Sequence, residues 1–330
     1  MGSLVKVGDI GLAKKIKRRI EPLTTVTDVS ADELAAIWQT APDNRKDMAF
    51  LHTVLCQVGF PRDPIKALEY ETRYRKAHML ITAGKLYRGE KKGYVQQPVP
   101  FGVYVRLLMN LFTTKAVKTG QPRIEIGRSR AEFLQAELGR GDDGTTGKLL
   151  LRQLWALMAA VVQLGGEYPN GQVLDVGGRP FYAFEDWLPA VEGQPMLWPG
   201  FVQFSADHFN ALINGAAVPL DQRHVLWLSK KGNGGALALD IYFWLAARLL
   251  YITEPNGVSI SWRALKEQFG QGGTNMDTFR KSFKTALRKV LLVYRDAVVR
   301  EERNGIRLFR SRPPIPPTFA GIARRIEKGL

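Results

Sequence analysis

The sequence predicts an α+β fold in which one pattern of helices and strands occurs twice in tandem. Three observations carry this expectation. First, FGVYVRLLMNLF followed by IEIGRSRAEFLQAELGRGDDGTT stands in the same order as LALDIYFWLAARLL followed by VSISWRALKEQFGQGGTN, about 130 residues later, a domain spacing and not a solenoid period. Second, residues 274–297 place Met276, Phe279, Phe283, Ala286, Leu287, Val290, Leu291 and Tyr294 at helical spacing on one face. Third, VVREERNGIRLFRSR reads as two short strands turning about Asn304-Gly305, a type I′ hairpin signal. Strand, short helix, glycine turn, longer helix and hairpin is the order of a winged helix. The expected architecture is two tandem winged-helix domains with a mainly helical, partly disordered N-terminal extension.

Residues 1–30 hold GLAKKIKRRIEPL and a Thr/Ser/Asp-rich stretch, and read as a basic, disordered arm. Residues 31–97 form the extension, helix-like from 30 to 58, with a strand and a basic turn in AHMLITAGKLYRGEKKGY. Residues 98–204 are the first module. Its opening helix faces Val103, Leu107, Leu108, Leu111 and Phe112 inward, Ser129 caps a helix closed by Gly139, and a long helix runs from Thr145 to about Leu164. Residues 205–234 read as a connecting helix capped by Ser205, with Phe209 and Leu212 inward, and a turn, SKKGNGG. Residues 235–312 are the second module, and 313–330 a Pro-rich, basic tail.

At 330 residues and 45% apolar content the chain can bury two ordinary cores. Its net charge of +16 is unevenly placed: residues 258–312 carry 13 Lys/Arg against 5 Asp/Glu. A basic surface concentrated on one module fits a polyanion. The single cysteine, Cys56, excludes an internal disulfide and fits a reducing cytoplasm, and His52 with Cys56 falls short of a zinc set. The chain lacks an apolar run of the ~20 residues a membrane span needs, and its basic N-terminal stretch, without an apolar core, does not read as a secretory signal. The loop 141–148 fails as a phosphate cradle: five residues separate Gly141 from Gly147, and Leu149 follows Lys148 where Ser or Thr would hold magnesium. The motifs of serine hydrolases, zinc proteases, dinucleotide enzymes and relaxases are missing, so no cofactor, metal or catalytic residue is expected.

The basic face of residues 274–297 is the candidate DNA-binding surface. Thr274 is the expected cap; Asp277, Lys281, Lys284, Arg288 and Arg295 lie opposite the apolar stripe, with Arg280 and Lys289 flanking. A major groove admits such a helix. Asn275, Thr278 and Thr285 join the set, as do Arg263 upstream and Arg300, Arg303, Arg307 and Arg310 on the hairpin. Arg307 has a competing reading as a cross-strand ion pair with Glu302. The first module offers Arg128, Arg130, Lys148 and Arg152, on a segment whose residues 123–164 carry six basic against five acidic side chains. Its long helix is apolar over a wide arc that implies burial on two sides. Leu150, Leu154, Leu157 and Val161 are therefore the expected dimer interface, with an additional sheet as the other possible cover.

With both modules placed, the chain resembles the RepA-type replication initiators of bacterial plasmids. The resemblance runs through HMLITAG, PVPFGVYVRLLMNLFTTKAV, RIEIGRSRAEFLQAELG, FVQFSADHFNALINGAAVPLD, ALDIYFWLAARLLY and ISWRALKEQFG, roughly residues 45–312. It implies a cytoplasmic protein that binds directly repeated double-stranded DNA sites (iterons) at an origin, opens adjacent AT-rich DNA and recruits host replication proteins. It also implies a monomer in equilibrium with a homodimer that represses the initiator gene or couples origins. Two rivals remain: a dimeric transcriptional repressor of a plasmid or phage, and a metal-dependent DNA-nicking enzyme.

Overall fold

The computed structural model describes residues 28–42, 46–127, 129–167, 173–184, 198, 200–230, 232, 234–272 and 275–315. The expected arm (1–27 of it) and tail (316–330) lie outside them. The second module is built as the pattern predicts. Helix α7 (Gly235–Arg248) leads through a 3-10 turn to β12 (Val258–Ser261), α8 (Trp262–Phe269), α9 (Met276–Val293) and the hairpin β13 (Val299–Glu302) and β14 (Gly305–Leu308). The strands form one antiparallel sheet, β12-β14-β13. Ser261 starts α8 by accepting from the Ala264 N–H, and Asn275, not Thr274, starts α9 by accepting from the Thr278 N–H at 2.8 Å. Such caps are worth about 1 kcal/mol each. Thr274 itself lies outside the described residues.

The first module repeats the order: α2 (Gly102–Thr119), β6 (Arg123–Glu125), α3 (Arg130–Leu138), α4 (Thr145–Ala159), then β9 (Phe181–Phe184) and β10 (Phe201–Phe204), with sheet order β6-β10-β9. Ser129 caps α3 as Ser261 caps α8. Between α4 and β9 the first copy inserts β7 (Val161–Glu167) and β8 (Val173–Val176). The long helix therefore stops at Ala159, five residues short of the expected end. Residues 161–166 pair edge to edge with Ala77–Thr82 of the extension, and a β-branched pair, Val161-Val162, opens the strand.

The extension is not mainly helical. After α1 (Asp28–Gln39) it is strand: β1 (Met48–His52), β2 (Glu69–Tyr74), β3 (Ala77–Thr82), β4 (Lys85–Tyr87) and β5 (Tyr94–Gln96). Strict in-out alternation in AHMLIT, with Ala77, Met79 and Ile81 buried, is the two-residue period that decides this. Strands β2 and β3 join β7 and β8 in a four-stranded sheet, and β4 pairs with β5 as a separate hairpin. The stretch expected to connect the modules is a short helix α5 (Ala206–Ala211), a turn through Gly215, then β11 (Ala217–Asp221) and α6 (Gln222–Ser229). Phe209 packs on the core and Leu212 is buried, but Ser205 Oγ bonds the His208 ring and not the helix backbone. Strand β11 pairs with β1, so this stretch is a structural seam and not a loose linker.

One continuous core runs from Leu34 to Leu308 through both modules. At its centre α2 packs on α7, and Arg106 grips Asp240 with two 2.7 Å hydrogen bonds, the side chains being 2% and 9% exposed. The remaining Arg106 donors reach the carbonyls of Phe60, Pro61 and Gly102. A fully bonded guanidinium offsets its desolvation, whereas one left unpaired there costs several kcal/mol, roughly 3–5. The two modules are thus locked helix to helix. Among the described residues no helix is long and apolar enough to cross a membrane.

Candidate nucleic-acid interface

Helix α9 is anchored on its back by Phe279, Phe283, Ala286, Leu287, Val290 and Val293, all buried. Its exposed stripe runs Asp277, Thr278, Lys281, Ser282, Thr285 and Arg288. The helix ends at Val293, which takes Arg295 off the stripe; its guanidinium sits 4.8 Å from the centre of the Trp38 ring. Lys289, expected on a flank, is a correction: it is 6% exposed, its Nζ donates to the Gly232 carbonyl, and burial pulls its pKa down. One residue beyond Arg288, it falls 100° around the helix toward the loop that precedes α7.

The turn between α8 and α9 is held from outside the module. Gln271 accepts from the Arg62 N–H at 2.7 Å and donates to the Phe60 carbonyl and the Tyr70 hydroxyl, and Gln268 donates to the Gln57 carbonyl. Gly272, at φ 55°, supplies the left-handed residue that the reversal needs. Arg62 and Tyr70 belong to the extension, so the angle at which α9 stands on the surface is set partly by residues some 200 positions upstream.

The hairpin is present, with a different turn. Glu302 pairs with Gly305, which leaves Arg303 and Asn304 as the two loop residues, and neither has positive φ, so the turn is not type I′. Gly305 serves close approach instead: a Cβ there would lie 1.9 Å from the Ile260 carbonyl oxygen. The tip is tied to α8, because the Trp262 N–H donates to Asn304 O at 3.0 Å and the indole to Arg303 O at 3.3 Å. Arg300 lies directly opposite Arg307, not Glu302 as expected, yet the Glu302–Arg307 ion pair forms diagonally at 2.5 Å. That hydrogen bond holds the Glu302 carboxyl below the usual range. Arg300, Arg303 and Arg310 are exposed.

Glu301 is the member of this charged cluster that periodicity could not reveal. From β13 it reaches Lys284 Nζ at 3.1 Å and Arg288 at 3.5 Å. Lys284 is half-buried and also lies 5.3 Å from the centre of the Trp262 ring. Arg280 is half-buried with Asp277 at 3.4 Å, and Arg263 pairs with Glu267 along α8. Lys281 and Arg288 thus project farthest from α9, flanked by Asn275, Thr278, Ser282 and Thr285.

On the first module Lys148 and Arg152 are exposed on α4, Arg130 is paired with Asp142 at 2.8 Å, and Arg128 lies outside the described residues. The expected dimer residues are a second correction. Leu150, Leu154 and Leu157 have no exposed surface, and Val161 belongs to β7 beside β3. The second side of α4 is covered by the chain's own β4–β5 hairpin, with Arg88 4.1 Å above the Trp155 ring. The wide apolar arc reported an additional sheet and not a partner subunit. His52, His208 and His224 are buried neutral, and no three His, Cys, Asp or Glu side chains converge on a common point among the described residues.

Crystal structures of domains 2 and 3 of RctB align with probability 1.00 at TM-scores of 0.45 and 0.44, with 11% and 12% identity, covering 77% of this chain and 93% and 94% of theirs. No curated protein matches. The family model of plasmid-encoded RepA proteins matches residues 99–264, just over half of the chain, from the start of the first module to the opening turn of α8. This chain belongs to the family of plasmid-encoded RepA proteins.

Proposed function

We propose that this chain is a plasmid replication initiator that binds directly repeated duplex DNA sites at its origin. In this reading α9 enters a major groove with Lys281 and Arg288 foremost, while Asn275, Thr278, Ser282 and Thr285 read base edges or phosphates near its N-terminus. Arg300, Arg303 and Arg310 track the backbone beside it, and Lys148 and Arg152 of α4 take a neighbouring groove. The observation that supports this best is the exposed polar and basic stripe of α9 on a buried back, with a hairpin of exposed arginines at its side, in a member of the RepA family. The Arg106–Asp240 lock adds to it, since two modules held in one geometry bind as a unit. Opening of AT-rich DNA, recruitment of host replication proteins and a monomer–dimer equilibrium follow from the family likeness. If a dimer forms, its surface lies elsewhere than Leu150, Leu154, Leu157 and Val161.

The test is a footprint of the purified chain on its own plasmid's origin at two salt concentrations. Protection repeating in one orientation at about two helical turns, and weakening with salt, supports the reading. A single palindromic footprint over a promoter supports a repressor instead. Cleavage of the site with a divalent metal present would make the chain a nicking enzyme.

A further inference from the structure

The β4–β5 hairpin is the least explained feature of the surface. Two three-residue strands are marginal by themselves, yet this pair is firmly held. Leu86 is 4% exposed, and the Gln96 amide donates to the carbonyls of Ala83, Gly84 and Gln97. Gly84 lies so close to the end of α4 that a Cβ would come within 2.0 Å of the Ala159 carbonyl oxygen. Arg88 then lies on Trp155, one turn back along α4. The hairpin therefore runs alongside α4, the helix that carries Lys148 and Arg152.

Alternation along the strands puts Leu86 inward and leaves Lys85, Tyr87, Tyr94 and Gln96 on the outer face. Tyr87 and Tyr94 are cross-strand partners, packed edge to face at 5.5 Å, and remain 54% and 71% exposed. Lys85, Lys91 and Lys92 are exposed around them, with Glu90 the one acid in the turn. Two rigid tyrosines ringed by lysines, on a scaffold anchored by buried contacts, form a preordered surface that loses little entropy on binding. Aromatic hydroxyls and ammonium groups are donors that suit phosphate oxygens.

We propose that the β4–β5 hairpin is a DNA-backbone arm of the first module, setting Lys85, Tyr87, Lys92 and Tyr94 against the phosphates of the duplex that α4 faces. The partner is double-stranded DNA flanking the bases under α4, and the contact is independent of sequence. This rests on the reading of α4 as a groove-facing helix. The arm gives the weakly charged first module the grip that its own helix lacks.

The experiment compares full-length wild type, Lys85→Ala/Lys92→Ala and Tyr87→Ala/Tyr94→Ala on an origin duplex, by titration across a salt series and by hydroxyl-radical footprinting. Circular dichroism confirms folding; all four side chains are exposed. In the lysine variant, loss of two charged phosphate contacts is expected to lower affinity roughly tenfold at low salt and to flatten the slope of log K against log salt by about 2. The tyrosine variant, which loses no charge, should lose affinity at an unchanged slope. Protection should shrink at one end of each site while the protection due to α9 stays. A wild-type footprint with unchanged affinity and length in both variants, and an unchanged slope in the lysine variant, overturns the arm and leaves the initiator reading intact. Absence of any wild-type footprint overturns the initiator reading itself. Variants impaired only on single-stranded fragments would overturn the duplex assignment.

Discussion

Glu301 provides the sharpest prediction. Its carboxylate lies 3.1 Å from Lys284 and 3.5 Å from Arg288, two cations of the surface proposed to meet phosphates. The three side chains are 34%, 35% and 57% exposed, so water screens the pairs. Each is then worth roughly 0.2–1 kcal/mol to folding. The same screening sets the competition: DNA must draw Lys284 and Arg288 away from, or share them with, a carboxylate that also repels phosphate. Glu301→Gln keeps the shape and removes the charge. Releasing two cations at about 0.2–1 kcal/mol apiece predicts a gain in DNA affinity of roughly 2- to 30-fold. The salt slope should steepen by up to about 2. The gain should be similar on origin and scrambled duplexes, because phosphates carry no sequence, so discrimination does not improve. Fluorescence anisotropy over a potassium chloride series measures all three quantities. Affinity and slope both unchanged would refute the claim that this face of α9 meets DNA.

Lys284→Ala with Arg288→Ala should weaken specific binding by about 1–3 kcal/mol, the Glu301 pairs offsetting part of a full phosphate or base contact; unaltered titrations would count against α9. Asp240→Asn strands a buried guanidinium and should cost roughly 3–5 kcal/mol in urea denaturation. Arg106→Met with Asp240→Leu should recover most of that loss, and additive losses would argue against a specific pair. Leu154→Ala should destabilise the fold by about 2–5 kcal/mol; a change in self-association with unaltered stability would return Leu154 to an interface. Burial holds His224 at about 4 and His52 at about 3, with His208 also lowered, against an ordinary histidine near 6.5. The unfolded chain therefore takes up protons first as pH falls. Stability is complete above about 6.5 and declines below it, by up to about 1.4 kcal/mol per pH unit for each ring, until the folded pKa is reached. Melting temperatures flat from pH 7 to 4.5 would contradict this.

Much of the architecture was legible in the chain. Helical spacing in 276–293, the serines that start α3 and α8, and the alternation around Asn304 are local signals, and local backbone preference determines such elements. The duplicated order was legible for the same reason, since each copy repeats its own caps and turns. The end of α4 at Ala159 was not: Val161 and Val162 continue an apolar run that suits helix or strand, and only pairing with β3, some 80 residues earlier, decides between them. The hairpin turn moved by one residue because Gly305 is needed against Ile260 in a neighbouring strand.

Chemical character, then, was set by the sequence alone: α+β patterning, a basic second module, a helix with a cationic face, and membership of the plasmid-encoded RepA family. Tertiary structure decided which of those charges face solvent. Lys289 is buried while Arg288 is exposed, and Lys284 shares Glu301 with Arg288. Leu150, Leu154 and Leu157 are wholly buried in the chain's own core. The physical reason is that periodicity reports how much of a helix is covered, whereas the identity of the cover comes from segments distant in sequence, whose approach no local pattern encodes.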